Sequence, residues 1–146
     1  MGTEGTDATF PQGWTAFDDH GFIELTGPVY HREAAGGGKE FAFKAEDKHG
    51  NLVGIVHGGM LVTFADRALS IVARDAVDGA DCVTVEMSLH FVGAAKIGDV
   101  IETVPEIVRK TSSLIFLRST LTSGGKPLVS ISGIWKALKD RPGSKA

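Results

Sequence analysis

Five residues near the middle of the chain have side chains or backbone positions suited to chemistry. Asn51, His57, Gly58, Gly59 and Asp66 place an amide, an imidazole, two glycines and a carboxylate at the start of a long apolar segment. The first N–H groups of a helix have no intrahelical partner and carry partial positive charge, and glycine lets a ligand oxygen approach them closely. If a helix begins here, its N–H groups are suited to stabilising a developing oxyanion.

The side chains in this group also have structural interpretations. Steps of 100° per residue from Leu61, at the centre of the apolar stripe, place Asp66 at about 140°, on the flank of the buried face. There it is a boundary acid paired with Arg67, a solvent-facing carboxylate or a functional carboxylate. His57 alone is typical of a structural histidine whose ring bonds a backbone carbonyl, with a role in orientation. Asn51 either bonds its own backbone in a turn or donates its N–H₂ group to a substrate carbonyl.

A helix is predicted from Gly59, where the apolar residues begin to recur with a period of 3.6. Asp75 and Asp78-Gly79 are turn signals at its end. The apolar sector covers more than half of the circumference, so we expect the helix to be covered on two sides. The stripe consists of Leu61, Phe64, Ala65, Ala68 and Val72.

The other ordered segments are predicted to be strands. Residues 21–26 are a weak strand candidate, and residues 41–46 alternate as a strand with one buried face does. Pro105 indicates an edge or a bulge in one of the later strands. At least four strands follow the helix and are expected at residues 83–91, 100–109, 114–122 and 128–138. This order predicts an α+β fold, with the helix packed on a mostly antiparallel sheet that curls around it.

Composition limits the partners and cofactors that we expect. Fifteen basic and eighteen acidic residues give a formal net charge of -3 with no Lys/Arg tract, so no nucleic-acid partner is expected. The one cysteine, Cys82, excludes an intrachain disulfide and a Cys-rich metal cluster. His20, His31, His49 and His90 lack metal-ligand spacing and are assigned to surface or strand positions, so no metal is expected.

Membrane association is not expected either. The longest apolar-looking stretch, residues 52–62, is interrupted by His57 and three glycines, and it is shorter than the ~20 residues that a bilayer requires. The N-terminal segment has no apolar core of a signal peptide, so a cytoplasmic location is expected. We expect one domain at residues 14–138, between a disordered segment at 1–13 and a flexible tail at 139–146.

The candidate residues also carry a resemblance to a known family. The pattern N-x-x-G-x-x-H-G-G-x-x-x-x-x-x-D, from Asn51 to Asp66, stands at the start of a predicted buried helix that strands follow. It resembles the hotdog-fold thioesterase superfamily, and its closest match is the PaaI-type acyl-CoA thioesterases. Further matching positions are Gly21-Phe22, Gly27-Pro28-Val29-Tyr30 and Gly98-Asp99. The resemblance implies a hotdog fold, in which a curved sheet wraps one long helix.

The resemblance also implies a thioester hydrolase and assigns roles to residues. Asn51 and the Gly58 N–H would polarise the thioester carbonyl, and Asp66 would activate water or attack directly. The family's hydroxyl on the strand after the helix falls on Thr84, where some relatives carry Ser. The other expected site residues are His57 for orientation, and Gly59, Val56 and Leu61 for substrate contact.

Helix geometry predicts that Gly58 and Asp66 belong to different halves of such a site. Eight residues at 1.5 Å rise separate them by about 12 Å along the axis, whereas direct proton transfer needs ~3 Å. A two-fold partner could bring its own Asp66 to Gly58 and create two equivalent sites. We therefore expect a homodimer, and the family resemblance favours further pairing into a homotetramer.

The expected substrate is an acyl-CoA, so coenzyme A enters as part of the substrate and no separate cofactor is expected. Its phosphates need local cations, for which Arg109, Lys110, Lys96 and Lys126 are candidates. Aromatic and medium-chain acyl groups are both compatible with the sequence.

Two other functions are compatible with the same fold. Hotdog proteins also act as hydratases or dehydratases on acyl thioesters, although the dehydratase loop with its histidine and prolines is absent here. The other alternative is a non-catalytic dimer that binds acyl-CoA or a protein partner. It would apply if Asp66 were only a boundary acid and Thr84 an imperfect replacement.

Overall fold

The computed structural model describes residues 10–139, which form two α-helices, one 3-10 turn and eight strands. The helices are α1 (Phe22–Thr26) and α2 (Gly58–Ala76), and the 3-10 turn is Asp47–His49. The strands are β1 (Thr15–Ala16), β2 (Tyr30–Glu33), β3 (Lys39–Lys44), β4 (Cys82–Phe91), β5 (Val100–Thr103), β6 (Glu106–Lys110), β7 (Leu114–Ser123) and β8 (Lys126–Ala137). The expectations for residues 1–9 and 140–146 lie outside the described residues.

The eight described strands join one antiparallel sheet that curves around α2. Their order is β1-β2-β3-β5-β7-β8-β4, and β6 pairs with β7. The sheet is not closed, so β4 lies at one edge. One long helix against a curved antiparallel sheet is the α+β hotdog architecture that the sequence predicts.

Helix α2 packs its apolar stripe against the inner face of the sheet. It begins at Gly58, one residue earlier than predicted, and runs to Ala76. Its buried side chains belong to the same core cluster as Phe43 of β3 and Trp135 of β8. Full burial of each large apolar side chain contributes roughly 1.5–3 kcal/mol. The buried residues of α2 are Met60, Leu61, Phe64, Ala65, Ala68, Leu69, Ile71 and Ala73.

The N-terminal segment packs against another side of α2 through Arg67. The Arg67 guanidinium lies 4.8 Å from the centre of the Phe17 ring, and it forms an ion pair with Asp19. Pairing of Asp66 with Arg67, one of the sequence interpretations, is therefore wrong, because Arg67 bonds Asp19 instead. The carboxylate of Asp66 is left for another partner.

Residues 21–26 were predicted to be a strand and instead contain the short helix α1. Gly21 adopts a positive φ of 65°, which turns the chain into the helix. Sheet pairing does not need this segment, because β1 pairs directly with β2. The apolar residues Phe22 and Leu25, spaced by three, then lie on one helical face.

Three further expectations need correction. The predicted strand at 100–109 is two strands, because Pro105 has no N–H to continue the ladder. His49 is buried rather than on the surface, since its Nδ1 accepts from the Glu46 N–H at 2.9 Å and its Nε2 lies 2.5 Å from the Thr26 carbonyl oxygen. Phe10, placed in the segment expected to be disordered, is buried and stacks on the Tyr30 ring at 3.8 Å.

Replacing Ser70 with Ala should lower the free energy of unfolding by about 1–3 kcal/mol. The fully buried Trp135 donates its Nε1–H to Ser70 Oγ at 2.9 Å, and the substitution removes that acceptor. Denaturant unfolding measures the change. Ser112→Ala, at an exposed loop position, serves as the control and should stay within ~0.5 kcal/mol. Equal effects of the two substitutions would contradict the role given to Ser70.

Neither helix of residues 10–139 combines the length and the apolarity needed to cross a membrane.

Candidate active site

The turn before α2 fixes the orientation of the Asn51 side chain. Its Oδ1 accepts hydrogen bonds from the backbone N–H groups of Val53 at 3.0 Å and Ile55 at 3.1 Å. Gly54, with a φ of 89°, makes this tight turn accessible. Because Oδ1 holds two donors, the N–H₂ group is directed away from the turn and acts only as a donor. Within residues 10–139 no hydrogen-bond acceptor takes its protons.

His57 is the N-cap of α2. Its Nδ1 accepts the Gly59 N–H at 2.8 Å, so the ring bonds a backbone N–H rather than the expected carbonyl. In the neutral imidazole, Nε2 then carries the proton. A Cβ atom at position 59 would lie 2.9 Å from His57 Nδ1, so this cap requires glycine there.

The cap leaves the Gly58 N–H as a donor. His57 Nδ1 takes the N–H of Gly59, and the His57 carbonyl takes that of Met60 at 2.9 Å. No hydrogen bond from the Gly58 N–H occurs within residues 10–139. The Phe91 ring lies beside this position, 3.4 Å from where a Cβ of residue 58 would stand. A free N–H at a helix start, next to an aromatic ring, is suited to binding an oxyanion.

Asp66 and Thr84 form the second polar group of the candidate site. Thr84 Oγ1 donates to Asp66 Oδ1 at 2.5 Å. The register of β4 against β8 shifts between Thr84 and Glu86, and such a bulge can re-aim a side chain, here towards α2. Gly133 on β8 lies next to the bulge, and a Cβ atom at position 133 would come within 2.6 Å of the Glu86 carbonyl oxygen. The sheet therefore holds the hydroxyl against the carboxylate.

The structure brings the predicted site residues together as two separate groups. Asn51, His57, Gly58 and Gly59 lie at the start of α2, while Asp66 lies on the same unbroken helix beside β4. About 12 Å of helix axis separates the Gly58 N–H from the residue that bears the carboxylate. Each group is assembled, but one chain does not bring the two into reach of each other.

The other expected substrate-contact residues occupy different environments. Gly59 is exposed, and it lines a groove beside the start of α2. Val56 and Leu61 are each only 3% exposed, and both belong to the hydrophobic core cluster. They support the start of the helix from within.

The four candidate cations lie towards two different ends of α2. Lys96 pairs with Ile55 in an isolated bridge just before the helix. Lys126 begins β8, and the carbonyl oxygen of the next residue, Pro127, lies close to Gly93, two residues after the end of β4. Lys110 donates its Nζ–H to the Ala76 carbonyl oxygen at 2.9 Å, at the far end of α2, and Arg109 precedes it on β6.

The strand β4 has no strand partner on its outer side within residues 10–139, and it carries exposed apolar side chains. It pairs with β8 on one side only. Val83, Val85 and Phe91 are 43%, 55% and 55% exposed. A long unpaired edge with apolar residues is a surface for pairing with another chain. The position of β4 at the edge is decided by topology, so the sequence analysis missed it.

Two other ionisable groups within residues 10–139 have pKa values raised by burial. Burial raises the pKa of the Cys82 thiol, and Arg74 opposes this effect, so the reactive thiolate is disfavoured at neutral pH. Outside the site, burial and the nearby Glu40 raise the pKa of Glu102. Glu102 and Glu40 line a cleft of about 430 Å³ at a different place on the sheet.

Comparisons of the sequence identify related proteins. Residues 53–130 match the family model described as the thioesterase superfamily. A Pseudomonas aeruginosa protein named "putative esterase" is 31% identical over 127 residues, covering 86% of this chain and 95% of that protein. Acyl-coenzyme A thioesterase 13 of Homo sapiens is 28% identical over 102 residues, covering 70% of this chain and 73% of that protein.

Solved structures share the fold. The zebra fish thioesterase superfamily member 2 superposes with a TM-score of 0.74 at 28% identity, covering 83% of this chain and 89% of that chain. A Bacillus halodurans protein solved with CoA gives a TM-score of 0.69 at 26% identity, covering 76% and 74% of the two chains. The PaaI protein of E. coli, at 15% identity and a TM-score of 0.65, covers 68% and 72% and shows the fold alone.

Proposed function

This chain belongs to the thioesterase superfamily, and we propose that it hydrolyses acyl-CoA to a free acid and CoA at a site shared by two copies of the chain. The observation that carries the proposal is the pair of assembled half-sites, one at the start of α2 and one at Asp66 and Thr84. The name of the human relative and the CoA in the Bacillus halodurans structure support an acyl-CoA substrate.

Asn51 and Gly58 form the half-site that binds the thioester carbonyl. The Asn51 N–H₂ group and the Gly58 N–H are both donors without an acceptor in residues 10–139. Negative charge develops on the carbonyl oxygen when the carbon is attacked, and preorganised donors stabilise that charge most strongly in the transition state. His57 contributes by capping the helix, because its ring holds the Gly59 N–H and leaves the Gly58 N–H for the substrate.

Asp66 and Thr84 form the half-site that supplies the general base or the nucleophile. The Thr84 hydroxyl holds Oδ1 of Asp66, and Thr supplies the same O–H that Ser would. In one route the Asp66 carboxylate takes a proton from a water molecule while that water attacks the carbonyl carbon. In the other route the carboxylate itself attacks the carbonyl carbon, and water then hydrolyses the resulting acyl-enzyme. By either route the C–S bond breaks, the acyl carbon gains oxygen, and the sulfur leaves with a proton as CoA thiol.

Two-fold pairing along β4 unites the half-sites. Antiparallel pairing of this edge with its copy would continue the sheet and cover Val83 and Val85. Asp66 and Thr84 lie beside the same edge, so the dimer would bring them towards the other copy's helix start. Isologous contact then makes two equivalent sites. Pairing of such dimers into a homotetramer stays a prediction.

Coenzyme A is the leaving group in this scheme, and no separate cofactor takes part. Lys96 and Lys126 lie towards the Gly58 end of α2 and are the candidates within one chain for contact with its phosphates. Lys110 already bonds the Ala76 carbonyl at the opposite end.

A panel of acyl-CoA thioesters tests the proposed activity through release of free thiol. We expect a kcat/KM on the order of 10⁴ M⁻¹s⁻¹ or higher for the best substrate. Water addition to an enoyl-CoA without thiol release would instead establish a hydratase. Tight binding of acyl-CoA without turnover across the panel would establish a non-catalytic binding protein.

A further inference from the structure

A groove of about 400 Å³ lies beside the start of α2. Helix α1 contributes Phe22 and Leu25 to its lining, and the first turns of α2 contribute Met60 and Thr63. Pockets of this volume are large enough for a ligand much bigger than an acetyl group. We call this cavity between α1 and α2 the α1 groove.

The α1 groove includes chain neighbours of both carbonyl donors. Gly50 lines the groove and directly precedes Asn51, while His57 and Gly59 line it and flank Gly58. A thioester carbonyl held by the Asn51 N–H₂ group and the Gly58 N–H would therefore have the groove beside it. The groove therefore lies next to the half-site that receives the substrate.

Apolar side chains of α1 are exposed along the groove. Phe22 is 64% exposed and Leu25 is 74% exposed, and as residues i and i+3 they are neighbours on one helical face. Helix α1 has no buried residue. It is held instead by polar contact, since the buried His49 places Nε2 2.5 Å from the Thr26 carbonyl oxygen. Lys48 is the one charged residue among the described lining.

We propose that the α1 groove binds the acyl chain of the thioester, in the form of an extended aliphatic chain whose length Phe22 and Leu25 select. This inference rests on the proposed function, because it needs the carbonyl at Asn51 and Gly58. Most of the exposed surface of the groove is apolar, which suits a hydrocarbon chain better than the amides and phosphates of CoA. Each methylene buried against Phe22 and Leu25 should strengthen binding about fourfold.

The first test measures kcat/KM for straight-chain acyl-CoAs from acetyl to decanoyl, together with phenylacetyl-CoA. The Phe22→Ala/Leu25→Ala variant keeps good helix formers in α1 and should lower the decanoyl-to-acetyl ratio of kcat/KM about tenfold or more. Val108→Ala, at a 57% exposed position on β6 outside the groove lining, is the matched control and should leave the ratio unchanged.

A second variant fills the groove from its other wall. Thr63→Phe places a ring between α1 and α2 at a half-buried position and should lower the same ratio without altering α1. Unchanged ratios in both groove variants would overturn the inference while leaving the proposed function in place. A loss confined to phenylacetyl-CoA would overturn the aliphatic assignment.

Measurements of acyl-CoA binding distinguish a failure of this inference from a failure of the proposed function. Dissociation constants of decanoyl-CoA and acetyl-CoA are measured in the Asp66→Asn background, with and without the Phe22 and Leu25 substitutions. A length preference that disappears with the substitutions supports the groove even if no thioester is hydrolysed. A uniform loss of affinity accompanied by a change of subunit number in sedimentation would overturn the inference, because the exposed α1 face would then contact another copy.

Discussion

Asp66→Asn is expected to lower kcat for acyl-CoA hydrolysis by about 10³-fold while preserving the fold. Asn retains an oxygen that can accept the Thr84 hydrogen bond, seen here at 2.5 Å to Asp66 Oδ1. Its amide neither takes a proton from water nor attacks a carbonyl as a carboxylate does. Thiol release at saturating substrate measures the loss.

Two controls separate chemistry from stability for this substitution. The free energy of unfolding of Asp66→Asn should stay within ~1 kcal/mol of the unchanged chain, because the residue is only half-buried. Thr84→Ser keeps the hydroxyl and should retain most of the activity. Equal kcat values for Asp66→Asn and the unchanged chain would remove Asp66 from the mechanism.

Mixing two inactive variants is expected to restore about a quarter of the activity. One variant is Asp66→Asn, and the other is Asn51→Asp, which keeps oxygens for the Val53 and Ile55 N–H groups but loses the N–H₂ donor. Random pairing makes half of the dimers mixed, and each mixed dimer has one intact site and one doubly damaged site. The variants are unfolded together, refolded, and assayed for thiol release.

The matched control combines both substitutions in one chain and co-refolds it with the unchanged chain. For a shared site, each mixed dimer has two damaged sites, so about a quarter of the activity should remain. For a site within one chain, about half should remain, and the first mixture would show no recovery above the parent variants. Each parent and the unchanged chain refolded alone give the reference rates.

Long periodic segments were the most predictable part of the fold. The 3.6-residue period from Gly59 predicted a helix that the structure places at Gly58–Ala76, and strict alternation predicted the strand observed as Cys82–Phe91. Periodicity works here because burial of one face selects a single register over many residues.

Short segments were less predictable because local contacts decide them. Residues Phe22–Thr26 form a helix that buries no side chain, so no hydrophobic pattern identifies it. His49 is buried because two backbone groups, the Glu46 N–H and the Thr26 carbonyl, meet its ring. The Thr26 carbonyl lies 23 residues earlier in the chain, so this contact was not apparent from the residues next to His49.

The sequence alone determined the helix that carries the candidate site, the residues available for chemistry and the separation of Gly58 from Asp66. That separation follows from the fixed rise of an α-helix, which needs no tertiary information. Tertiary structure decided the contact of Thr84 with Asp66 and the position of the α1 groove beside the carbonyl donors. Strand order, the β4 bulge and the packing of α1 produce these contacts, and they depend on residues far apart in the chain.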